Sequence, residues 1–380
     1  MTNRVFLRSK YRLAWYWAVV STSLLLMTSP SFASDLTISL DNPPEAGIVE
    51  FQLYDSANAF GALRNPVKAV RYDVDGRESY SIDNLPSGEY ALLVYHDENN
   101  NERIDKNFIG IPIEPIGFSN RYAPKAPPSF SRAAFIIEEG ETRHFDVELY
   151  QPLGKLGRLG VGVGVIGRSS PYREYNGGVY QAIPAITYTG ERLQVYGPRI
   201  QFGIAGSGKL RLALTGQYRI GVYKEEDSPF LAGMGDREDT FMAGLAVQAE
   251  LPGVVDLELG YEHDVLDRIG GGTASLRISK GLQSGVFRFT PQLGFNYLSS
   301  ELSNHDFGVP ADKATATRPA YELGSTTSIE GGVGLFIEIT REWLFVMDVA
   351  IEKFSDEVVD SPIVDQDYVV KGFAAINYVF

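Results

Sequence analysis

The chain has 380 residues, a formal charge of −14 and no cysteine. The missing cysteine excludes disulfides, thiolate metal sites and cysteine nucleophiles. The acidic balance argues against nucleic acid as a partner, because a phosphate-binding surface needs a basic stripe.

The N-terminus carries Arg4, Arg8, Lys10 and Arg12, then an apolar run over 13–27, then small residues leading to Ser31-Phe32-Ala33. Basic, apolar and small-residue regions in that order predict a cleavable secretory signal over residues 1–33. The run is shorter than the roughly 20 apolar residues that a membrane helix requires. No arginine pair precedes it, which points to export of the unfolded chain.

Residues 35–150 read as a small β-sandwich. Short alternating runs such as 47–54 and 89–95 are separated by turn residues, including Asn84-Leu-Pro-Ser-Gly88. Two more strands are expected within 133–150. Between the second and third of these runs lies the most chemical-looking stretch, His96 to Asp105. Oxygen-bearing side chains at Asp97, Asn99, Asn101 and Asp105 resemble a calcium loop with hard ligands. Two positions depart from that pattern: Glu102 stands where glycine is wanted, and Phe108 where a glutamate should close the site. The alternative is an asparagine-rich turn held by side-chain-to-backbone hydrogen bonds. Calcium is the one cofactor suggested. His96 has no nucleophile in a recognisable setting beside it.

Residues 151–154, Gln-Pro-Leu-Gly, form a linker, and from 155 to 380 the pattern changes. Alternation becomes cleaner and the runs reach the ~9–11 residues that a tilted strand needs to span a bilayer. In 209–223 one face carries Leu210, Leu212, Leu214, Tyr218 and Ile220, and the other Arg211, Thr215, Gln217 and Arg219. The runs 286–297 and 329–339 repeat this grammar. Tight links at 252–253, 282–284 and 341–342 alternate with longer polar ones at 224–239, 300–325 and 355–367, as in outer-membrane barrels. The final strand ends at Tyr378-Val379-Phe380, an aromatic terminus of the kind that barrel-assembly machinery reads. Parity requires an odd number of strands within 181–205, and three, broken at 190–191 and 197–198, give twelve strands in all; one gives ten. The fold class is therefore all-β, a sandwich followed by a transmembrane antiparallel β-barrel, with the N-terminal domain in the periplasm.

Inward positions of the barrel are charged with both signs: Arg211, Arg219, Asp256, Glu258, Glu262, Arg277, Arg288, Glu330, Glu338, Asp348, Glu352 and Lys371. Such groups are expected to pair across a narrow lumen and fill it; an ion-selective channel is the alternative. His263, in outward phase beside Tyr261, reads as a rim residue. No phosphate loop, zinc-ligand spacing or serine triad is present, so no enzyme is expected.

Several motifs of the second half resemble the MipA/OmpV family: Gly160-Val-Gly-Val-Gly164, Ile183-Pro-Ala-Ile-Thr-Tyr188, Gly235-Asp-Arg-Glu-Asp-Thr240, Phe307-Gly-Val309 and the terminal Tyr378-Val-Phe380. The resemblance implies an outer-membrane scaffold docking a murein hydrolase, a lytic transglycosylase, near a penicillin-binding synthase. Outer-membrane lipid, lipopolysaccharide and the assembly machinery are the remaining expected partners. The first half, through Leu85-Pro-Ser-Gly-Glu-Tyr90 and Gly110-Ile-Pro-Ile-Glu114, resembles a bacterial family of unknown function. That resemblance implies a sandwich of the transthyretin or immunoglobulin type. A narrow channel for small solutes, and a lipid- or glycan-modifying enzyme, are the competing readings.

Overall fold

The computed structural model describes residues 34–380 apart from Asn176. The expected secretory signal, residues 1–33, lies outside the described residues.

The N-terminal part contains β1 (Ser34–Leu40), β2 (Ile48–Tyr54), β3 (Lys68–Asp73), β4 (Tyr80–Leu85), β5 (Gly88–Asp97), β6 (Ile116–Phe118), β7 (Phe135–Ile137) and β8 (Thr142–Val147). They form two small open sheets. One is ordered β4-β1-β8, and the other β3-β2-β5-β6, with β7 on β5. Alternate residues of both sheets share one apolar core: Leu36 and Ile38, Phe51 and Leu53, Leu92 and Val94, Phe145 and Val147. The opposite faces of β2 and β5 bury Tyr54, Leu93 and Tyr95 against Phe60 of a short helix (Ala57–Ala62) and Phe118. Burial on both faces explains why β5 reads as the unbroken apolar run Ala91-Leu-Leu-Val-Tyr95 instead of alternating.

The second part is a closed antiparallel barrel. Its strands are β9 (Arg158–Ser169), β10 (Gly178–Thr189), β11 (Leu193–Tyr196), β12 (Arg199–Ala205), β13 (Leu210–Arg219), β14 (Thr240–Leu251), β15 (Val255–Asp264), β16 (Gly272–Lys280), β17 (Leu282–Ser284), β18 (Phe287–Leu298), β19 (Thr326–Glu338), β20 (Trp343–Phe354) and β21 (Tyr368–Val379). Residues 282–284, expected to be a bare turn, form the three-residue β17 folded back on β18, while β16 pairs directly with β18. Twelve strands therefore make the wall, the larger of the two numbers that parity allows, with β10, β11 and β12 dividing the 181–205 stretch. Closure comes from β21 on β9, from Lys371 opposite Arg168 to Val379 opposite Gly160.

The alternation places apolar side chains outward. Val163 (67% exposed) and Leu293 (66%) are bare of any protein neighbour that would bury them, whereas inward Arg211 is 1% exposed. That inversion of ordinary burial is what a lipid-facing wall looks like. Exposed aromatics mark both ends of the apolar band. Tyr180, Tyr218, Tyr261, Tyr297 and Tyr368 stand near the long loops, and Phe287, Trp343 and Phe380 near the short turns.

Closure depends on small residues in β9. A Cβ at Gly162 would collide with the main-chain oxygen of Ile376 on β21. Gly162→Val should therefore keep β21 from seating on β9, and the compact, heat-modifiable species on a denaturing gel should disappear. A variant that still shows that species would refute this account of closure.

Candidate functional site

The N-terminal sheets sit on the barrel end that carries the short turns, and they touch it around the rim. Asn107 Nδ2 donates to Gly190 O (3.1 Å), Lys106 N to Ser207 O (2.7 Å) and Ser129 Oγ to Gly285 O (2.8 Å). Tyr122 OH donates to Glu338 Oε2 (2.7 Å), and Lys125 Nζ to Val379 O (2.8 Å). On one side of this contact lies a buried charge cluster around Glu250, the inward residue just before the β14–β15 turn. Arg64 Nε (2.8 Å), Lys106 Nζ (3.3 Å) and Arg211 Nη1 (2.7 Å) all converge on its carboxylate. Arg64 also reaches Asp256 (2.5 Å), and Arg211 Nε donates to Phe108 O (3.1 Å). Burial draws the Lys106 ammonium down to a pKa of about 8, against the pull of Glu250. These N-terminal residues act as a cap.

The opposite mouth is closed by apolar packing. Tyr172, Tyr223, Leu231, Met234, Phe307, Ile363 and Val364 come from four loops and form one buried cluster. Arg219 of β13 anchors it through Asp306 (2.5 Å), whose main-chain oxygen accepts from Tyr172 OH (3.1 Å). Composition marked these loops as polar, yet their scattered apolar residues fold inward together.

Between cap and loop cluster lies a chamber of about 650 Å3. Its wall is apolar at Ile166, Ile183, Phe336, Val346 and Phe373. Its charged lining comprises Arg64, Lys106, Lys125, Arg158, Arg199, Arg211 and Arg288 against only Glu250 and Asp256, so a chamber inside an acidic protein is strongly cationic. The expected pairing across the lumen is mostly replaced by pairing along one side of the wall, between strands that are adjacent or one strand apart. Lys371 holds Glu330 (2.5 Å) and Glu352 (3.0 Å), and Gln292 donates to Asp348 (3.0 Å); Arg199 to Glu258 (3.6 Å) is the longer reach. Inward positions one or two strands apart lie within roughly 10 Å, which long side chains bridge before they can reach the far wall.

The family model described as "MltA-interacting protein MipA" matches residues 161–380. The chain belongs to that family. A second model, for an uncharacterized protein conserved in bacteria, matches residues 41–144. Among curated relatives, outer membrane protein OmpV of Vibrio cholerae is 29% identical over 38% of this chain and 55% of its own length. Omp26La of Vibrio anguillarum is 29% identical over 49% of this chain and 73% of that protein. The MltA-interacting protein of Escherichia coli is 25% identical over 58% of this chain and 89% of that one. The chain thus spans just over half the length of the Vibrio cholerae relative and more of the others. The N-terminal barrel of Pseudomonas aeruginosa OprF aligns with 13% identity over 45% of this chain and 95% of that chain, at a TM-score of 0.22. A score that low carries no inference. Membership and fold together make this an outer-membrane β-barrel.

The residues expected to form a calcium loop do come together on the cap. Asn99 Nδ2 (2.7 Å) and Asn101 Nδ2 (3.0 Å) donate to Asp105 Oδ2, and Asp97 accepts from the main-chain N–H of Asn101 (3.0 Å) and Glu102 (2.8 Å). A cation seated there would have to displace these donors. Glu114, which the sequence did not single out, closes the loop by accepting from Asp105 N (2.9 Å) and Glu98 N (3.3 Å). Burial, with Asp105 and Asp97 nearby, raises its pKa to about 7. His96 Nε2 lies 2.9 Å from Ala46 O, and His263 stacks beside Tyr261 on the outer surface. The cap-docking residues were missed as well. The usable signal was Glu250, in phase with inward Ala246 and Gln248.

Two outcomes follow. Glu250→Ala leaves three buried cations without their shared carboxylate and should weaken the docked cap by about 3–5 kcal/mol. Hydrogen exchange at 106–110 in detergent should rise accordingly, and unchanged protection would contradict the cluster's role. For Glu114 the folded pKa of about 7 lies above its ordinary 4.5. Between those values the folded state binds the extra proton, so stability falls as pH rises through this window. Urea unfolding followed by near-UV circular dichroism should show that slope, and Glu114→Gln should flatten it.

Proposed function

We propose that this protein is a non-enzymatic outer-membrane scaffold whose cap, a small β-sandwich, faces the periplasm and docks murein-remodelling enzymes. The carrying observation is that the barrel is occupied at both ends. The loop cluster fills one mouth and the cap covers the other, which leaves the cap's free surface as the projecting feature. An open aqueous channel fits this arrangement less well, and side chains leave a chamber rather than a pore. The orientation rests on the barrel pattern itself: short turns lie at the cap end and long loops at the other, and short turns are the periplasmic ones in outer-membrane barrels. The partner class rests on the relative named MltA-interacting protein. A lytic transglycosylase is the first candidate, with a penicillin-binding synthase beside it.

In-membrane crosslinking, pull-down and mass spectrometry, comparing the full protein with one lacking residues 35–150, test the proposal. Murein hydrolases or synthases should be recovered with the full protein and lost with the deletion. Recovery of only assembly machinery and lipopolysaccharide would sink the scaffold reading, and planar-bilayer conductance would then be the measurement to make.

A further inference from the structure

The wall of the barrel is incomplete in one place. β11 has four residues and pairs only with Thr187, Tyr188 and Thr189 of β10. The chain then turns back at Gly197-Pro198. There Gly197 N donates to Ile186 O (3.2 Å), and Pro198 O accepts from Tyr218 N (3.0 Å). From Gly178 to Ala185, β10 therefore has β9 on one side and no strand on the other. Pro184, which has no N–H to donate, sits in this stretch, a position that proline tolerates only at a sheet edge. An unpaired edge at bilayer depth is tolerated where its backbone lines a cavity in which its polar groups can be satisfied. This one does: Ile183, Ala185, Tyr196, Gly197 and Pro198 all line the chamber.

We propose that this gap is a lateral portal through which a single-chain lipid anion enters the chamber from the bilayer, with Arg158 and Arg288 holding its head group. Both axial ends are occupied, by the cap and by the loop cluster, whereas the gap opens at the height of the lipid-facing Tyr180 and Ile186. The chamber volume falls within the ~300–1,000 Å3 common for small-molecule sites. Arg158, Arg288 and Lys125 form no ion pair among the described residues. They donate to the main-chain oxygens of Pro124 (3.5 Å), Gly61 (2.6 Å) and Val379 (2.8 Å). Asp256 attracts Arg288 and Glu342 attracts Lys125 from beyond ion-pair distance, and Arg158 has no carboxylate near it among the described residues, so an anion placed among these cations is favoured. A neutral lipid would leave them unpaired, and a small soluble anion would leave the apolar wall unfilled. An anionic head on one acyl chain satisfies both. This site does not depend on whether the cap docks an enzyme.

The test uses the full protein in a neutral detergent, with cis-parinarate fluorescence as the binding signal. Competitors are palmitate, lysophosphatidylglycerol, hexadecanol and inorganic phosphate. Palmitate or lysophosphatidylglycerol should displace the probe at concentrations about tenfold or more below hexadecanol and phosphate, and whichever is stronger identifies a carboxylate or a phosphate head. Arg158→Gln and Arg288→Gln should each weaken binding roughly tenfold, the worth of one charge-assisted hydrogen bond. Ile183→Trp, which fills the chamber beside the gap, should abolish binding in protein that retains the heat-modifiable gel band. Hexadecanol competing as well as palmitate would overturn the proposal, and so would arginine variants that bind unchanged. If Ile183→Trp does not fold, the arginine variants and the competitor series still decide.

Discussion

In hydrocarbon a main-chain N–H without a partner costs several kcal/mol, so a sheet crosses a bilayer only if its last strand returns to its first. Here the return is the β21–β9 ladder, and it rests on Gly160, Gly162 and Gly164. Those glycines let the backbones approach. They also leave the inner surface of β9 bare between Arg158 and Ile166, two residues that line the chamber. The residue choice that closes the wall therefore also clears space inside it. The short β11 works against the same constraint: it leaves part of β10 unpaired, and that part borders the cleared space.

The two mouths are closed by different physics. The loop cluster is apolar and non-directional, so its stability scales with buried area and tolerates changes of similar volume. The cap is held by directional groups, with three cations on Glu250 and single hydrogen bonds to successive turns. A buried cluster of this kind adds little net stability, yet it is severely weakened by losing one member. It specifies how the cap sits more than it strengthens the attachment.

Most of the wall was legible because its signal is local. A period of two, sustained over bilayer length, fixes which side chain faces lipid, and parity restricts the stretch between Gln181 and Ala205 to an odd number of strands, of which its length favours three. The breaks at 190–191 and 197–198 already imply a short β11, and the structure has it at Leu193–Tyr196; what the sequence does not show is that this leaves most of β10 without a partner on that side. The loop cluster escaped because Leu231, Met234, Phe307 and Ile363 are isolated apolar residues in polar surroundings, and only tertiary contact brings them together. Glu250 escaped for a related reason. Its partners Arg64 and Lys106 lie well over a hundred residues upstream, and no spacing rule connects them. Asp97, Asn99, Asn101 and Asp105 were legible as a cluster, but a hydrogen-bonded turn and an ion site share that sequence. Glu114, which completes the cluster, lies beyond the motif.

The chamber belongs to neither half alone. Arg64, Lys106 and Lys125 come from the cap, and Arg158, Arg211 and Arg288 from the barrel. An anion held by Arg158 and Arg288, both of which also donate to cap main-chain oxygens at Pro124 and Gly61, would therefore favour the docked state, and by linkage would stabilise docking in proportion to its occupancy. The reverse also holds: whatever shifts the cap on the rim changes the affinity of the chamber. A scaffold whose projecting surface is seated by a lipid-sized ligand would report the state of the membrane to the partner it docks. The geometry that permits this coupling is the sharing of one cationic lining between two parts of the chain.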